Sequence, residues 1–457
     1  MWGPSRGRAG STRVLYYPVL QLAFNAILLG VSRGSRALAF LLVTIFVGRV
    51  AGTDALGAFT VALATALIAL RVSELGVNTF LVRESSRAPE RAPDYLMGAL
   101  VIRLPSLALT FATALVVILI TGVAGTTAVL IWLMTGYVAL WSVASIFFAS
   151  ALARQKMQEE TLIALPSSVV LVAASAVVLY AGGGLVELGL VFLCVGAAEL
   201  VLALLLISPR VAVWSSRVDL GAARAMLSEA WPIGLATLFA FLYYRIDTLM
   251  LASITDNTEV GEYGMAYNFL YGPSLIFWAL SMALFPILSA HRLRRGRALR
   301  RQYRLLVASG AAFGLFFLAF APLAGVGLRA AYGSAPENSV LALRILLFAQ
   351  PFTFVGAAAG ITLIAIGAQR LNVAIGGLGV LVNVSLNALA IPRWGGPGAA
   401  GATVATEVAV AALAVTLLAQ RGLVPLHLRL VASTVAQRIR PSRHSEASET
   451  DRWRSDG

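Results

Sequence analysis

Six arginines interrupt runs that are otherwise apolar: Arg33 and Arg36 in the first, Arg71 in the second, Arg103 in the third, Arg245 near the seventh and Arg344 in the tenth. A guanidinium in hydrocarbon is costly unless it faces a polar cavity or a partner, so arginines at such depth mark a path for something anionic. Arg33 and Arg36 are three apart and share a helix face, and no acid precedes Arg49 to neutralise them locally. Arg71 has Glu74 three residues on, close enough for an ion pair on one face. Arg245 has Asp247 only two residues on, and residues two apart do not face each other, so Arg245 is expected to keep more of its charge than Arg71. The planar fork of arginine matches phosphate and carboxylate through paired hydrogen bonds, which suits converging arginines to a pyrophosphate group. Arg33, Arg36, Arg71 and Arg245 are the expected substrate-binding set.

Other polar residues in the apolar runs have plainer readings. Arg103 and Arg344 stand near enough to span ends to snorkel to an interface and are expected to be structural. Glu74, Asp247, Glu199 and Glu407 are candidates for ion coupling or for counter-charges to the arginines, the second being the reading preferred. Asn25, Asn78, Asn268, Asn372, Asn383 and Asn387 suit hydrogen bonds between helices. Pro105, Pro166, Pro273, Pro286 and Pro351 are expected to bend the helices that carry them.

The elements that hold these residues follow from composition. With 59% hydrophobic and 12% charged residues over 457 positions, the chain reads as all-α and polytopic in a membrane. The apolar stretches, each near the ~20 residues that a spanning helix needs, number about twelve. Lys and Arg concentrate in alternate loops, above all in the run Arg292 to Arg304. Only Arg49, Arg329 and Arg393 fall in loops on the opposite side. The positive-inside rule then places both termini in the cytoplasm, and the basic run reads as an anchor at an anionic leaflet, not a nucleic-acid patch. No cleavable signal pattern opens the chain; its first apolar run is expected to act as an uncleaved anchor.

The expected division is an interfacial N-terminus at 1–19, a six-helix lobe at 20–209, a cytoplasmic linker at 210–230, a second six-helix lobe at 231–420 and a partly disordered cytoplasmic tail at 421–457. An internal repeat supports it. Asp54, Gly57, Phe59 and Ala62 align with Glu259, Gly261, Tyr263 and Ala266 at an offset near 204, and Glu199 aligns with Glu407 at a similar one. Two lobes of six spans enter from the same side, as parallel repeats about an axis along the membrane normal.

Catalytic signatures are missing from the sequence. There is no Walker phosphate loop, no paired acidic motif in a cytoplasmic loop and no large external loop. The single Cys194 and the three histidines at 291, 427 and 444 offer no metal cluster. No enzymatic activity, cofactor or metal is expected, and transport would draw on an ion gradient, the membrane potential or substrate concentration.

At this point the motifs resemble a known family. Arg49-Val-Ala-Gly52, Leu56-Gly57-Ala-Phe59, Glu74-Leu-Gly76-Val and Leu81-Val-Arg83-Glu84 are similar to the opening spans of the polysaccharide and oligosaccharide-lipid flippases of the multidrug/oligosaccharidyl-lipid/polysaccharide exporter superfamily. Arg245-Ile-Asp247-Thr-Leu-Met250, Leu284-Phe-Pro286 and Asn387-Ala-Leu-Ala-Ile-Pro392-Arg-Trp-Gly395 continue the likeness. The resemblance implies a V-shaped bundle rocking between inward-open and outward-open states. Its cargo would be an undecaprenyl-pyrophosphate-linked oligosaccharide, carried across the bacterial inner membrane, with the lipid bilayer and glycan polymerase or ligase machinery as surroundings and the chain acting as a monomer. Arg245 and Asp247 carry over by motif, whereas Arg33 and Arg36 rest on position and charge. Relatives that flip the peptidoglycan precursor usually have fourteen spans, so about twelve favours a surface-polysaccharide substrate. Two alternatives remain: a multidrug or cation antiporter of the same superfamily, disfavoured by six span arginines against four acids, and a membrane glycan polymerase or ligase, disfavoured by the short loops.

Overall fold

A computed structural model describes residues 11–211, 219–270 and 297–422. Among the described residues the chain is helical throughout, with no strand. The first lobe comprises α1 (Ser11–Phe46), α2 (Gly52–Glu74), α3 (Val77–Arg87), α4 (Ala92–Thr121), α5 (Gly125–Ala153), α6 (Met157–Tyr180), α7 (Leu185–Leu206) and the single turn α8 (Ser208–Val211). The second comprises α9 (Leu220–Ile254), α10 (Asn257–Asn268), α11 (Arg297–Leu318), α12 (Ala324–Tyr332), α13 (Glu337–Ala365) and α14 (Gln369–Gln420). Large apolar side chains such as Leu119, Leu162, Val177 and Leu205 stand exposed on the outside. That is the inverse of a soluble surface and is the condition of a chain solvated by lipid.

Nine described stretches are long and apolar enough to cross a membrane. Two of them, Phe24–Glu74 and Arg370–Gln420, run to 51 residues. At 1.5 Å per residue either would measure over twice the ~30 Å hydrocarbon layer. Each is broken where a glycine takes a positive φ: Gly52 (φ 90) follows the π-helical turn Val47–Ala51, and Gly395 (φ 53) divides α14 into two arms. The eighth expected span, 262–289, lies outside the described residues beyond α10, as do Pro273 and Pro286.

Several boundaries differ from the sequence expectation. The second span is not one helix, because Leu75 (φ 50) and Gly76 (φ 74) both adopt the left-handed conformation and separate α2 from α3. The expected ninth span, 305–328, is likewise divided at Ala321–Leu323, where Pro322 removes a backbone donor. Helix α9 begins at Leu220, well before residue 231, because the Asp219 carboxylate accepts the Ala222 N–H at 3.1 Å and caps it. By contrast, α1 runs without a break through Ser32–Arg36, and Pro105, Pro166 and Pro351 sit inside continuous helices.

In the first lobe α1 packs on α6, α5 on α7, and α2 on α4 and α5; in the second α13 packs on α11 and α14, and α9 on α14. Helix α2 also packs on α9 and α10 and so joins the lobes. At the end carrying Arg49 and Gly395, the end poor in Lys and Arg, the joint is two-fold symmetric. A Cβ on Gly57 would overlap the carbonyl oxygen of Asn257, and a Cβ on Gly261 would overlap that of Thr53. Thr53 and Asn257 stand four residues before their respective glycines, so the repeat seen in sequence is the pair of surfaces that meet. At the other end Gly76 and Gly234 allow the Leu75–Gly76 break to lie against the α9 backbone, and Arg83 pairs with Glu229 across the joint at 2.9 Å.

Gly57→Val or Gly261→Val should therefore lower stability by roughly 1–3 kcal/mol through overpacking. Gly30→Ala, where nothing lies within 4 Å of the new Cβ, should be neutral or slightly stabilising. Denaturant unfolding of the purified protein in detergent measures both.

Candidate functional site

The break after Glu74 sets up the first charged cluster. A helix that stops inside a bundle leaves carbonyls without partners, and the Ser73 carbonyl accepts from Arg103 Nη1 at 2.7 Å and from Ser106 Oγ at 2.9 Å. Arg103, 1% exposed on α4, also donates to Asn78 Oδ1 at 2.9 Å, and Asn78 donates to Ser145 Oγ at 2.8 Å. A cation at a helix C-terminus is favoured by the macrodipole. Arg103 thus fastens the broken second span and does not snorkel to an interface as the sequence reading expected. One turn before the break, Arg71 forms an ion pair with Glu74, and its guanidinium carbon lies 4.2 Å from the ring centre of Phe241 on α9. Arg71 keeps 22% of its side chain exposed. Arg71, Glu74 and Arg103 lie within electrostatic range of one another and carry one formal positive charge more than negative, at the junction of the lobes.

The second cluster lies inside the first lobe. Arg36 Nη2 on α1 donates to both carboxylate oxygens of Glu199 on α7, at 3.1 and 3.3 Å, with its guanidinium 5.2 Å from the Trp141 ring centre. Glu160, buried on α6, accepts from Ser32 Oγ at 3.4 Å and is within electrostatic range of Arg36. Arg33, one turn before Arg36, is exposed. Glu199 is thus ion-paired with Arg36.

The third cluster lies in the second lobe. Asp247 is buried and accepts from the Tyr263 hydroxyl at 2.5 Å and from the Thr248 N–H at 2.7 Å. Arg245 is buried with its guanidinium 5.8 Å from the Tyr267 ring centre, and the Tyr267 hydroxyl donates to the Tyr244 carbonyl at 2.9 Å. Glu407, also buried, stands beside Tyr243 and Thr353. At the end poor in Lys and Arg, Glu259 Oε1 accepts the Gly396 N–H at 2.6 Å and ties α10 to the turn of α14.

The four arginines expected to bind substrate are thus distributed: Arg33 and Arg36 on α1, Arg71 at the lobe junction, Arg245 between α9 and α10. Arg344 is exposed and donates to the Ala321 carbonyl at 3.4 Å. Asn383 and Asn387 bond each other within one helix at 2.8 Å rather than between helices. Sequence reasoning missed Glu160, which stands in the first turn of α6 beside a loop; it raises the acids buried within the described apolar helices from the four expected to five. It also missed the break at Leu75–Gly76, although an acid, an apolar residue and then glycine is a recognisable helix stop. The aromatic partners Trp141, Phe241 and Tyr267 carry no sequence signal of their own, since an aromatic residue in an apolar run is ordinary core; Tyr263 had shown only as a position of the repeat.

Comparison with known proteins identifies the family. Residues 22–291 match the polysaccharide biosynthesis protein family, more than half of the chain, and the chain belongs to it. No curated protein matches in a sequence search. Among solved structures, an inward-facing multidrug resistance MATE family transporter of the MOP superfamily is similar at a TM-score of 0.69 and 16% identity, covering 89% of this chain and 96% of that one. The lipid II flippase MurJ in an inward closed conformation is similar at 0.70 and 11%, covering 91% and 94%. A MOP superfamily transporter from Pyrococcus furiosus, described as having a binding pocket of reversed polarity, is similar at 0.59 and 16%, covering 88% and 95%. These likenesses show the fold, and the family expected from the motifs is the one matched.

Glu199→Gln should cost roughly 1.5–3 kcal/mol, because it weakens the charged hydrogen bonds to the Arg36 guanidinium and leaves Glu160 as the nearby acid. The double substitution Arg36→Met with Glu199→Met should recover most of that loss. Arg103→Leu should cost about 1.5–3 kcal/mol, the worth of a hydrogen bond to a charged group. Unfolding midpoints of the purified variants check all three.

Proposed function

We propose that this chain carries an undecaprenyl-pyrophosphate-linked oligosaccharide across the bacterial inner membrane for surface polysaccharide biosynthesis, by alternating access between its two lobes. The observation that carries the reading is the cluster of Arg71, Arg103 and Glu74 at the lobe junction, with one positive charge more than negative, in a member of a polysaccharide biosynthesis family. An anion entering between lobes meets Arg71, which is partly exposed and whose geometry is tied to Phe241 of the opposite lobe. Engagement of a pyrophosphate by Arg71 would compete with Glu74 and draw the guanidinium from the ring, coupling binding to the fit between lobes. Arg33, Arg36 and Arg245 are the further arginines proposed to meet the substrate, with both termini cytoplasmic and the polymerase or ligase machinery receiving the cargo.

A second reading, export of organic cations, is favoured by one observation: Asp247 and Glu407 are buried among Tyr243, Tyr244, Tyr263 and Tyr267, and acids with aromatics suit cations. The likeness to multidrug transporters and to a lipid flippase is of equal quality, so function has to separate them.

In cells lacking the gene, mass spectrometry should find a complete lipid-linked repeat unit trapped on the cytoplasmic face. The wild-type gene should clear it, and Arg71→Ala, present in the membrane at normal amount, should not. Unchanged lipid-linked pools, together with drug resistance that is lost in Asp247→Asn, would support the second reading instead.

A further inference from the structure

The turn at Gly395 shapes a feature that the charged clusters do not use. Between α13 and the two arms of α14 lies an apolar groove of about 550 Å³, within the size range of ligand sites. Leu341, Ile345, Leu389 and Ala402 line it, with Arg393 and Trp394 at its mouth. The groove is built by two glycines acting in opposite ways. A Cβ on Gly398 would stand 2.6 Å from the Ala390 carbonyl oxygen, so glycine there lets the arms of α14 close up at the turn. Gly401, also on the lining, has no atom within 4 Å of its Cβ position, so the space above it stays open.

The mouth has the chemistry of a lipid headgroup level. Trp394 is 64% exposed, and tryptophan concentrates where hydrocarbon meets water. Arg393 is exposed and gives Nη1 to the Leu389 carbonyl at 2.6 Å; it forms no ion pair among the described residues. Glu259, the acid beside the turn, already accepts from Gly396. An apolar slot beneath an unneutralised cation is complementary to an anionic amphiphile with a single extended chain to bury.

We propose that this groove holds one acyl chain of an anionic phospholipid, whose phosphate accepts hydrogen bonds from Arg393 while Trp394 packs at the glycerol level. The inference does not rest on the transported substrate. The test is native mass spectrometry of the intact protein equilibrated in micelles containing phosphatidylglycerol and phosphatidylcholine with matched chains. Wild type should retain phosphatidylglycerol preferentially, and Arg393→Gln should cut that preference about fivefold, the effect of one cation beside an anionic headgroup. Gly401→Leu, or Ala405→Leu should the first variant fold poorly, should fill the groove and remove the retained lipid of either kind. Phosphatidylglycerol retention unchanged in Arg393→Gln and in the filled variants would overturn the proposal. So would displacement of all phospholipid from this groove by polyprenyl pyrophosphate, which would assign it to a prenyl tail.

Discussion

A guanidinium withdrawn into a layer of low dielectric must find a partner, and the partners found here organise the bundle. Arg103 takes a backbone carbonyl and a side-chain amide and thereby permits a transmembrane helix to stop and restart at Leu75–Gly76. Arg36 takes a carboxylate and an indole inside one lobe. Arg71 takes a carboxylate of its own helix and an aromatic face of the other lobe. One residue type therefore fills three positions of different consequence: a fastener, an internal ion pair and a joint. Only the last combines partial exposure with contacts to both lobes, which is the combination that recognition at a moving interface requires.

The joint depends on small residues as much as on charge. Polar attraction in a membrane helps only when backbones come close, and glycine is what lets them do so. Gly57 and Gly261 face one another across a local two-fold, each under a carbonyl from four residues before the other, while Gly76 and Gly234 repeat the close approach at the opposite end of α2. Since Arg71 lies in the last turn before Gly76, any separation of that end alters the distance from Arg71 to Phe241. Charge recognition and lobe geometry are therefore mechanically linked through α2.

Much of this was legible in the sequence because membranes enforce long apolar helices. The all-α bundle followed from hydropathy and the duplication around Gly57 and Gly261 from spacing, while the family came from the motifs that resemble it. The i, i+3 pairing of Arg71 with Glu74 is a local property and was read correctly. What stayed hidden depends on tertiary neighbours. Depth marked Arg103 as structural but not the contact that makes it so: it is fully buried because a carbonyl exposed by the Leu75–Gly76 break waits for it from another helix. The contact of Arg36 with Glu199 joins residues 163 apart, and no periodicity reports such a pairing. Span edges drawn by hydropathy also misplaced Glu160, whose burial follows from its packing against α1 and not from its own surroundings in sequence.

The most direct measurement is translocation by the purified protein in proteoliposomes under a membrane potential, comparing a fluorescent polyprenyl-pyrophosphate oligosaccharide with a cationic dye, for the wild type and Arg71→Ala. Recognition of an anion at the lobe junction predicts that the wild type moves the oligosaccharide lipid and not the dye, and that Arg71→Ala loses that activity while remaining folded. Movement of the dye alone, or of the oligosaccharide lipid at the same rate without Arg71, would contradict it.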